Sequence, residues 1–398
     1  MPEVIHFVLA ANAASSITRV VAEYANALVE QGQTVHISYP VFSFWDHCLW
    51  MVERDTASRQ GWWVGIERRL KFWRALVGPT VKTIIASRGL SWVGVRIHQI
   101  DARVIMHRFW ALPSVHQMPD ADAIVVMQSY FIPRLLFLPA AKGKLVSSVH
   151  MDYEQALQDR DSVSRDWWAM MVSIEQRTHI PRFAVSQRAK ESAEALGISV
   201  RCIIRNGVNH KEFIVPQERS RGALMPIRVM LSCALLPAKG QDFGCNIIRR
   251  LREMYPNGEV FFVSIGTVEK KNMSLFDENL GYLHGAHYVR AYQRADIFIY
   301  PSLRDGFPAP PLEALASGAV LATTRVSGVS EYGVSGKNCL MADPRDVDGM
   351  VSNIQRLIED PDLRESLRRE GYQTVKEYAW QRSALELVEF IRDLTGSV

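Results

Sequence analysis

The sequence predicts an α/β protein built from two domains, each a doubly wound parallel sheet. Short apolar runs, each long enough for one buried strand, alternate with segments whose apolar residues recur at helical spacing. The chain has 398 residues, which favours two domains over one. Because hydrophobic residues make up 48% of the chain, each domain can bury a core of its own.

The bulk composition argues against several classes of protein. A formal net charge of +4 is too small to indicate nucleic-acid binding. The five cysteines have no paired spacing, so we expect reduced thiols in a cytoplasmic protein. The sequence has no run of about 18 uninterrupted apolar residues, so we expect no membrane-spanning helix.

The first half of the chain begins with a strand, a helix and a second strand. Residues 4–10 and 34–39 are apolar runs, and apolar residues recur at helical spacing over 17–28. Further strands are expected at 104–107, 123–127, 145–149, 183–186 and 200–204, and a helix is expected at 187–196. This domain would span residues 1–214, and the polar, breaker-rich residues 215–226 would form the interdomain linker.

Residues 41–96 form an insertion that is rich in tryptophan and basic residues. It holds six of the ten tryptophans, and nine lysines or arginines against four acids. On a helical wheel one face carries Trp62, Ile66, Leu70, Trp73 and Val77, with Arg69 and Arg74 flanking it. Such a helix can rest on an anionic membrane surface, here the inner face. The alternative is a helix packed on its domain with the basic face in water.

Asp120 and Asp122 spell a short D-x-D motif, which can hold a metal ion. They lie at the start of a strand rather than at the carboxyl edge, where open α/β sheets bind ligands. We therefore expect no metal site there, and we find no other set of metal ligands in the sequence.

The second half, residues 227–376, repeats the alternation of strands and helices. Strands are expected at 227–235 and 260–265, and helices at 242–254, 288–294, 347–358, 362–376 and 380–394. The expected helix at 380–394 falls in the last segment of the chain, residues 377–398.

Residues 296–331 predict a strand–loop–helix–strand unit that carries two carboxylates. A strand at 297–300 precedes a loop with Gly306 and three prolines, and a helix at 312–317 leads to the next strand. Asp305 lies before the loop glycine, and Glu313 is expected in the first turn of the helix. Because a helix start leaves its first N–H groups unpaired, it can bind phosphate and sugar oxygens. An ordinary helix start with acidic capping residues is the alternative.

The string DGFPAPPLEALASG closely resembles the E-x7-E signature of the family-4 retaining glycosyltransferases, which have the GT-B fold. The spacing from Asp305 to Glu313 is that of the family, with Asp in place of the first Glu. The resemblance implies that Asp305 contacts the donor sugar and that Glu313 holds the ribose hydroxyls. It also implies donor contacts from Gly306, Phe307, Pro308 and Ala309.

A second resemblance concerns the cations that neutralise the leaving diphosphate. In the family an arginine is followed five residues later by a lysine, and here Lys239 keeps the lysine while Ala234 replaces the arginine. A pair of cations on the phosphates is a main way to stabilise the departing group. The candidates for replacing the lost charge are Arg205, Arg304 and Arg325. Arg205 begins a turn that resembles the family's PNGVD turn and is counted among the donor-binding residues.

Several single positions complete the implied site. His150 follows a predicted strand at the carboxyl edge, and the resemblance implies that it reaches the donor sugar. Ser15 and Ser16 stand where the family has a Gly-Gly loop near the donor phosphates, and Gly266 ends a strand where the family seats the nucleotide. Glu331 is part of a segment similar to the family's GG-x-x-E loop, and we expect it to cap a following helix.

The resemblance thus implies a metal-independent retaining hexosyltransferase with His150, Asp305 and Lys239 as catalytic residues. The enzyme would move a sugar from a nucleotide-diphosphate sugar, without a cofactor, to a hydroxyl of a glycan or lipid-linked acceptor in bacterial polysaccharide synthesis. The leaving diphosphate would help to take the acceptor proton. Residues 1–214 would form the acceptor side, and residues 377–398 would form a helix that crosses back to the first domain.

Two other functions stay open from the sequence. The changes at Ser15, Ala234 and Asp305 are compatible with a catalytically inactive domain that binds a partner transferase or a glycan. A sugar-nucleotide epimerase of the same fold would release free nucleotide without an acceptor, but the PPLEALASG string argues against it.

Overall fold

The computed structural model describes residues 3–9, 16–40, 100–109, 115–158, 162–215 and 226–396. The predicted insertion at 41–96, Ser15 and nearly all of the predicted linker lie outside these residues. Among the described helices, none is both long and apolar enough to cross a membrane.

The first half of the chain forms one parallel sheet. Its strands are β1 (Val4–Val8), β2 (Thr34–Pro40), β3 (Ile105–Phe109), β4 (Ala123–Val126), β5 (Lys144–Val149), β6 (Arg182–Ala184) and β7 (Cys202–Ile203). The order across the sheet is β3-β2-β1-β4-β5-β6-β7, so the order reverses between β1 and β4. The helices are α1 (Ser16–Glu30), α2 (Ile132–Leu135), α3 (Tyr153–Leu157), α4 (Ser162–Arg177) and α5 (Gln187–Ala195).

The second half forms another parallel sheet. Its strands are β8 (Ile227–Cys233), β9 (Val260–Gly266), β10 (Glu278–Asn279), β11 (Ile297–Tyr300), β12 (Val320–Thr324) and β13 (Cys339–Ala342). The order is β10-β9-β8-β11-β12-β13, with the reversal between β8 and β11. The helices are α6 (Gln241–Met254), α7 (Gly285–Arg294), α8 (Ala309–Ala316), α9 (Val347–Glu359), α10 (Pro361–Val375) and α11 (Trp380–Thr395).

Each sheet is buried on both faces. Successive residues of a strand point to opposite sides of the sheet, and each side packs against a hydrophobic core. In β8, Val229 and Leu231 pack with α6 and α9 in one core, while Met230 packs with α7 and α8 in the other. In β1, Phe7 faces a core with α1, and Val8 faces a second core that includes α4. The predicted fold class of two doubly wound parallel sheets is confirmed.

The last helix, α11, packs on the first sheet although it follows the second sheet in the chain. Trp380, Leu387 and Ile391 belong to the same core as Phe7 of β1. The ring of Trp380 meets that of Tyr24 in α1 edge-on, with 5.1 Å between the centroids. The chain therefore crosses twice between the two sheets, once before β8 and once before α11.

The helix after the loop at Gly306 differs from the prediction. We expected it at 312–317 with the prolines in the loop, but α8 begins at Ala309, so Pro310 and Pro311 lie in its first turn. Proline is tolerated there because first-turn N–H groups have no intrahelical acceptor. As a result Glu313 lies in the second turn, not the first. The two prolines also remove two of the four N–H groups that would make this helix start a strong anion site.

Candidate functional site

The candidate site lies where the carboxyl edges of the two sheets meet. Gly306, after β11, is packed against the backbone that follows β5: a Cβ built on Gly306 would lie 1.9 Å from the carbonyl oxygen of His150. No side chain fits at this contact, which explains the glycine. The Asp305 carbonyl oxygen also accepts a hydrogen bond from the N–H of Gly328 at 3.1 Å, which fixes the loop.

Lys239 and Asp305 meet at the switch point of the second sheet. Lys239 follows β8 and Asp305 follows β11, and these neighbouring strands bring the ends of their loops together. The ammonium of Lys239 donates to Oδ2 of Asp305, and the hydroxyl of Tyr300 donates to the same oxygen at 2.5 Å. Burial and the adjacent carboxylate raise the pKa of Tyr300, so this hydroxyl keeps its proton and stays a donor.

His150 contributes a neutral imidazole from the first sheet. Its Nδ1 shares a hydrogen bond with Oγ of Ser148 at 2.9 Å. Burial lowers the pKa of His150 to about 4, although a hydrogen bond with the backbone of Met127 opposes the shift. At neutral pH the side chain can therefore accept or donate a hydrogen bond but carries no charge.

Glu313 lies in a buried contact between the two domains. Its Oε1 pairs with Nη2 of Arg19 at 2.5 Å, its Oε2 accepts from the hydroxyl of Tyr288 at 2.8 Å, and the residue is 2% exposed. Arg19 comes from α1, and its guanidinium lies 4.9 Å from the ring centroid of Tyr288 and 5.6 Å from that of Phe213. The carboxylate that the resemblance assigns to the ribose is thus held by an arginine of the opposite domain.

The sequence analysis missed Arg19, although the sequence carries a signal for it. A cation this close to the N-terminus of a helix opposes the helix dipole, so its position is a weak indication of a carboxylate partner elsewhere in the fold. The sequence did not indicate that this partner is Glu313.

Tyr332 and Phe307 belong to one buried aromatic cluster. The hydroxyl of Tyr332 donates to the carbonyl oxygen of Pro308 at 3.1 Å. Burial raises the pKa of Tyr332, and the charges of both Asp305 and Glu313 add to the rise. Phe307 is 5% exposed and packs edge-on against Tyr332 at 5.5 Å, so its ring belongs to the core.

Glu331 does not cap a following helix, so that prediction was wrong. Its Oε1 accepts a hydrogen bond at 2.6 Å from the N–H of Gln187, the first residue of α5 in the first domain. Its Oε2 pairs with Nη2 of Arg205 at 2.9 Å. Glu331 therefore caps a helix of the opposite domain, and Arg205 is paired with it across the interface.

The remaining predicted positions are spread along the two carboxyl edges. Gly266 ends β9 with φ +92°, and a Cβ there would lie 2.0 Å from the carbonyl oxygen of Cys233, so the position requires glycine. Its N–H donates to the carbonyl oxygen of Gly281 at 2.8 Å. Ser16 is the first residue of α1, at the carboxyl end of β1, and Ala309 is the first residue of α8.

The D-x-D carboxylates have structural partners. Asp122 Oδ2 accepts from the N–H of Val4 at 2.7 Å, and Asp120 pairs with Lys142 at 2.9 Å. Within the described ranges, no group of three or more histidine, cysteine or acidic side chains is arranged to hold a metal ion.

The fold and the meeting of the two edges define the class of protein. Two Rossmann-like parallel sheets that face each other in this way form the GT-B fold. The structure of HepE from Anabaena in complex with UDP has the same fold, with a TM-score of 0.67 at 13% identity. That likeness covers 98% of this chain and 100% of HepE.

The sequence comparisons name the family of the second domain. Residues 227–360 match the family model of the glycosyl transferases group 1, and the second domain of the chain belongs to this family. The D-inositol 3-phosphate glycosyltransferase of Corynebacterium urealyticum is 32% identical over 27% of this chain and 25% of its own length. The MMP alpha-(1->4)-mannosyltransferase of Mycolicibacterium hassiacum is 25% identical over 61% of this chain and 64% of its own. The chain thus spans between a quarter and two thirds of these relatives.

Proposed function

We propose that this protein is a glycosyltransferase that moves a sugar from a nucleotide-diphosphate sugar to a hydroxyl of a glycan or lipid-linked acceptor in bacterial polysaccharide synthesis. The family of the second domain supports the proposal, as do the names of the curated relatives and the UDP bound by HepE. We further propose that it transfers a hexose with retention and needs neither a metal ion nor a cofactor beyond its donor.

The observation that carries the proposal is the meeting of Lys239 and Asp305 at the switch point of the second sheet, next to Gly306, which packs against the backbone of His150. Open α/β sheets bind ligands in the crevice at this point. A lysine and an aspartate side by side can bind two parts of one ligand. The ammonium can bind phosphate oxygens, and the carboxylate can accept hydrogen bonds from sugar hydroxyls.

The proposed mechanism gives this chain the tasks of positioning and charge stabilisation. Lys239 would neutralise the departing diphosphate, and Asp305 would hold the sugar hydroxyls. His150, neutral because burial lowers its pKa to about 4, would hydrogen-bond the sugar without adding charge. The departing diphosphate would accept the proton of the attacking hydroxyl on the same face of the sugar, which gives retention.

The proposal is tested with a panel of UDP-, GDP- and dTDP-sugars, by measuring the slow release of nucleoside diphosphate without an acceptor. We expect one donor class to be hydrolysed and Lys239→Met to lower that rate about 100-fold, because one electrostatic contact to the transition state contributes about 3 kcal/mol. Lys211→Met is the matched control, since Lys211 is exposed and pairs with Glu30 of α1 at 2.5 Å.

The same panel separates the second candidate function. A nucleotide that binds in calorimetry but is never released from any donor would favour an inactive binding domain, for which the loss of the arginine at Ala234 is the supporting observation. A protein that neither binds nor hydrolyses any member of the panel would contradict the proposed transfer.

We also propose a cytoplasmic location in which the insertion at 41–96 rests on the anionic inner face of the membrane, near a lipid-linked acceptor. The insertion lies outside the described residues, so its tryptophan-rich and basic composition is the support. Flotation with anionic liposomes tests this. Trp73→Glu should bind them less, and binding equal to that of the unaltered protein would refute it.

A further inference from the structure

The second domain supplies little positive charge for a bound diphosphate. Ala234 stands where the family has an arginine, and Pro310 and Pro311 remove N–H donors from the start of α8. Lys239 is already paired with Asp305. A second cation is therefore needed near the diphosphate if the proposed transfer is to be efficient.

The arginines suggested by the sequence are paired with groups other than the predicted ribose carboxylate, Glu313. Arg205 pairs with Glu331 at 2.9 Å, and Arg325 pairs with Asp343 at 3.3 Å. Arg304 donates to the carbonyl oxygen of Gln155 at 3.4 Å.

Arg19 is a cation at the predicted ribose position, and it comes from the opposite domain. It lies in the first part of α1, which starts at the carboxyl end of β1 and so belongs to the edge that faces the second sheet. Its guanidinium pairs with Glu313 and lies over the ring of Tyr288, which bonds the other carboxylate oxygen. Burial would lower the pKa of Arg19, but Glu313, Tyr288 and Glu23 together more than offset this and raise it, so the group remains charged.

The carboxylate of Glu313 is covered while Arg19 is in place. Arg19 lies on Oε1, Tyr288 bonds Oε2, and the side chain of Glu313 is 3% exposed. Each carboxylate oxygen can accept a second hydrogen bond, but a diol reaches this buried carboxylate only if a covering side chain moves aside. Ribose binding at Glu313 would therefore displace Arg19, while α1 keeps the displaced side chain beside the ribose, to which the diphosphate is covalently attached.

Resting on the proposed function, we propose that Arg19 is a donor-binding residue that stays paired with Glu313 until the donor binds. The ribose hydroxyls release Arg19 from Glu313, and the guanidinium then binds the diphosphate and supplies the charge that Ala234 lacks. Guanidinium binds phosphate in a bidentate fashion, which suits this task. Because Arg19 belongs to the first domain and Glu313 to the second, donor binding would replace one contact between the domains by another that runs through the donor.

The test is the ratio of affinities for a nucleoside diphosphate and its monophosphate, measured by calorimetry. UDP, GDP and dTDP are screened, and the one that binds best is compared with its own monophosphate. We expect Arg19→Ala to lower the preference for the diphosphate about tenfold, the size of one charge-assisted hydrogen bond. Arg19→Lys should restore most of the preference, because it returns the charge. Lys211→Ala should leave the ratio unchanged. It breaks an ion pair with Glu30, which lies in α1, the helix that also carries Arg19.

The outcomes distinguish this inference from the proposed function. If the unaltered protein binds none of the nucleotides, both fail. If it binds them and Arg19→Ala changes both affinities by the same factor, in either direction, Arg19 is only an interface residue and the inference is overturned. Should Arg19→Ala not fold, as judged by its unfolding transition, Arg19→Gln carries the same comparison with a side chain of similar length.

Discussion

The two domains are built alike but differ in how the residues of the candidate site are encoded. In the second domain Asp305 and Glu313 come from one strand–loop–helix unit, so their spacing survives as a motif, and the family match covers residues 227–360. The first domain contributes Arg19 and His150 from separate elements, α1 and the end of β5. Residues from separate elements form no fixed spacing, so the motif reveals one side of the cleft and not the other.

The domains also differ in their buried ionisable groups. In the first sheet burial lowers the pKa of His6 to about 3 and also lowers those of His36 and His107. In the second domain burial raises the pKa of Cys245 in α6 to about 11 and raises that of Tyr300 in β11 as well. Thiols and phenols of this kind stay neutral from acid to neutral pH. Buried His6 and partly buried His36 and His107 therefore give the first domain a sensitivity to acid that these groups do not give the second.

The largest effect is expected at the contact that joins the two edges. A side chain on Gly306 meets the His150 carbonyl at 1.9 Å, and backbone on both sides prevents a small local shift. Gly306→Val should therefore separate the domains, lower stability by about 3 kcal/mol or more and abolish donor hydrolysis. Thermal unfolding and the release of nucleoside diphosphate measure the two effects.

The matched control for this variant is Gly258→Ala. Gly258 has φ +84° but nothing within 4 Å of an added Cβ. It should cost about 1 kcal/mol through backbone strain alone and leave hydrolysis unchanged. If Gly306→Val resembled this control, the close approach of the two edges would not exist in solution.

The next effect is expected at Glu331, a residue of the second domain that caps a helix of the first. Glu331→Ala removes the acceptor for the N–H of Gln187 and the partner of Arg205, so we expect a loss of about 2 kcal/mol. Hydrogen exchange should rise at the first turn of α5, although the substitution lies in the other domain. Glu331→Gln keeps an acceptor and should lose about half as much. Unchanged exchange in α5 would show that the cap is not formed.

Much of the fold could be predicted because it depends on local patterns. Apolar runs predicted most strands of both sheets, and helical spacing predicted α6, α9 and α11 within a few residues of their bounds. The two edge strands of the second sheet, β10 and β13, were not predicted. The start of α8 was the local exception. Consecutive prolines normally indicate a loop, but they fit a first turn equally well.

The contacts between the domains could not be predicted, for a physical reason. Glu313 with Arg19, Glu331 with α5 and Gly306 with His150 depend on how two separately folded sheets sit together. A pattern of apolar residues indicates which face an element buries in its own domain. It carries no information about the surface of the other domain that the element contacts. The prediction that Glu331 caps a following helix failed for this reason, because the residue type was right for a cap but the helix belonged to the other domain.

The last prediction concerns how the free energy of unfolding depends on pH, and it tests the acid sensitivity of the first domain at one residue, His6. His6 is fully buried and shares a hydrogen bond with Oγ of Ser38 at 2.7 Å, and burial lowers its pKa to about 3, with smaller contributions from His36 and His107. An unfolded histidine, with a pKa near 6.5, takes up a proton as the pH falls from 7 to 5, whereas folded His6 does not. The free energy of unfolding should therefore fall by about 2 kcal/mol over that range on account of His6 alone.

In His6→Gln this part of the pH dependence should vanish, while His284→Gln, at an exposed position of the second domain, should keep it. Urea unfolding at pH 7, 6 and 5 measures the difference in slope, which is independent of any constant loss of stability from the substitution. Parallel curves for the unaltered protein and His6→Gln would mean that folded His6 is protonated as readily as the unfolded residue, and the electrostatic contrast between the two domains would then lose its main support.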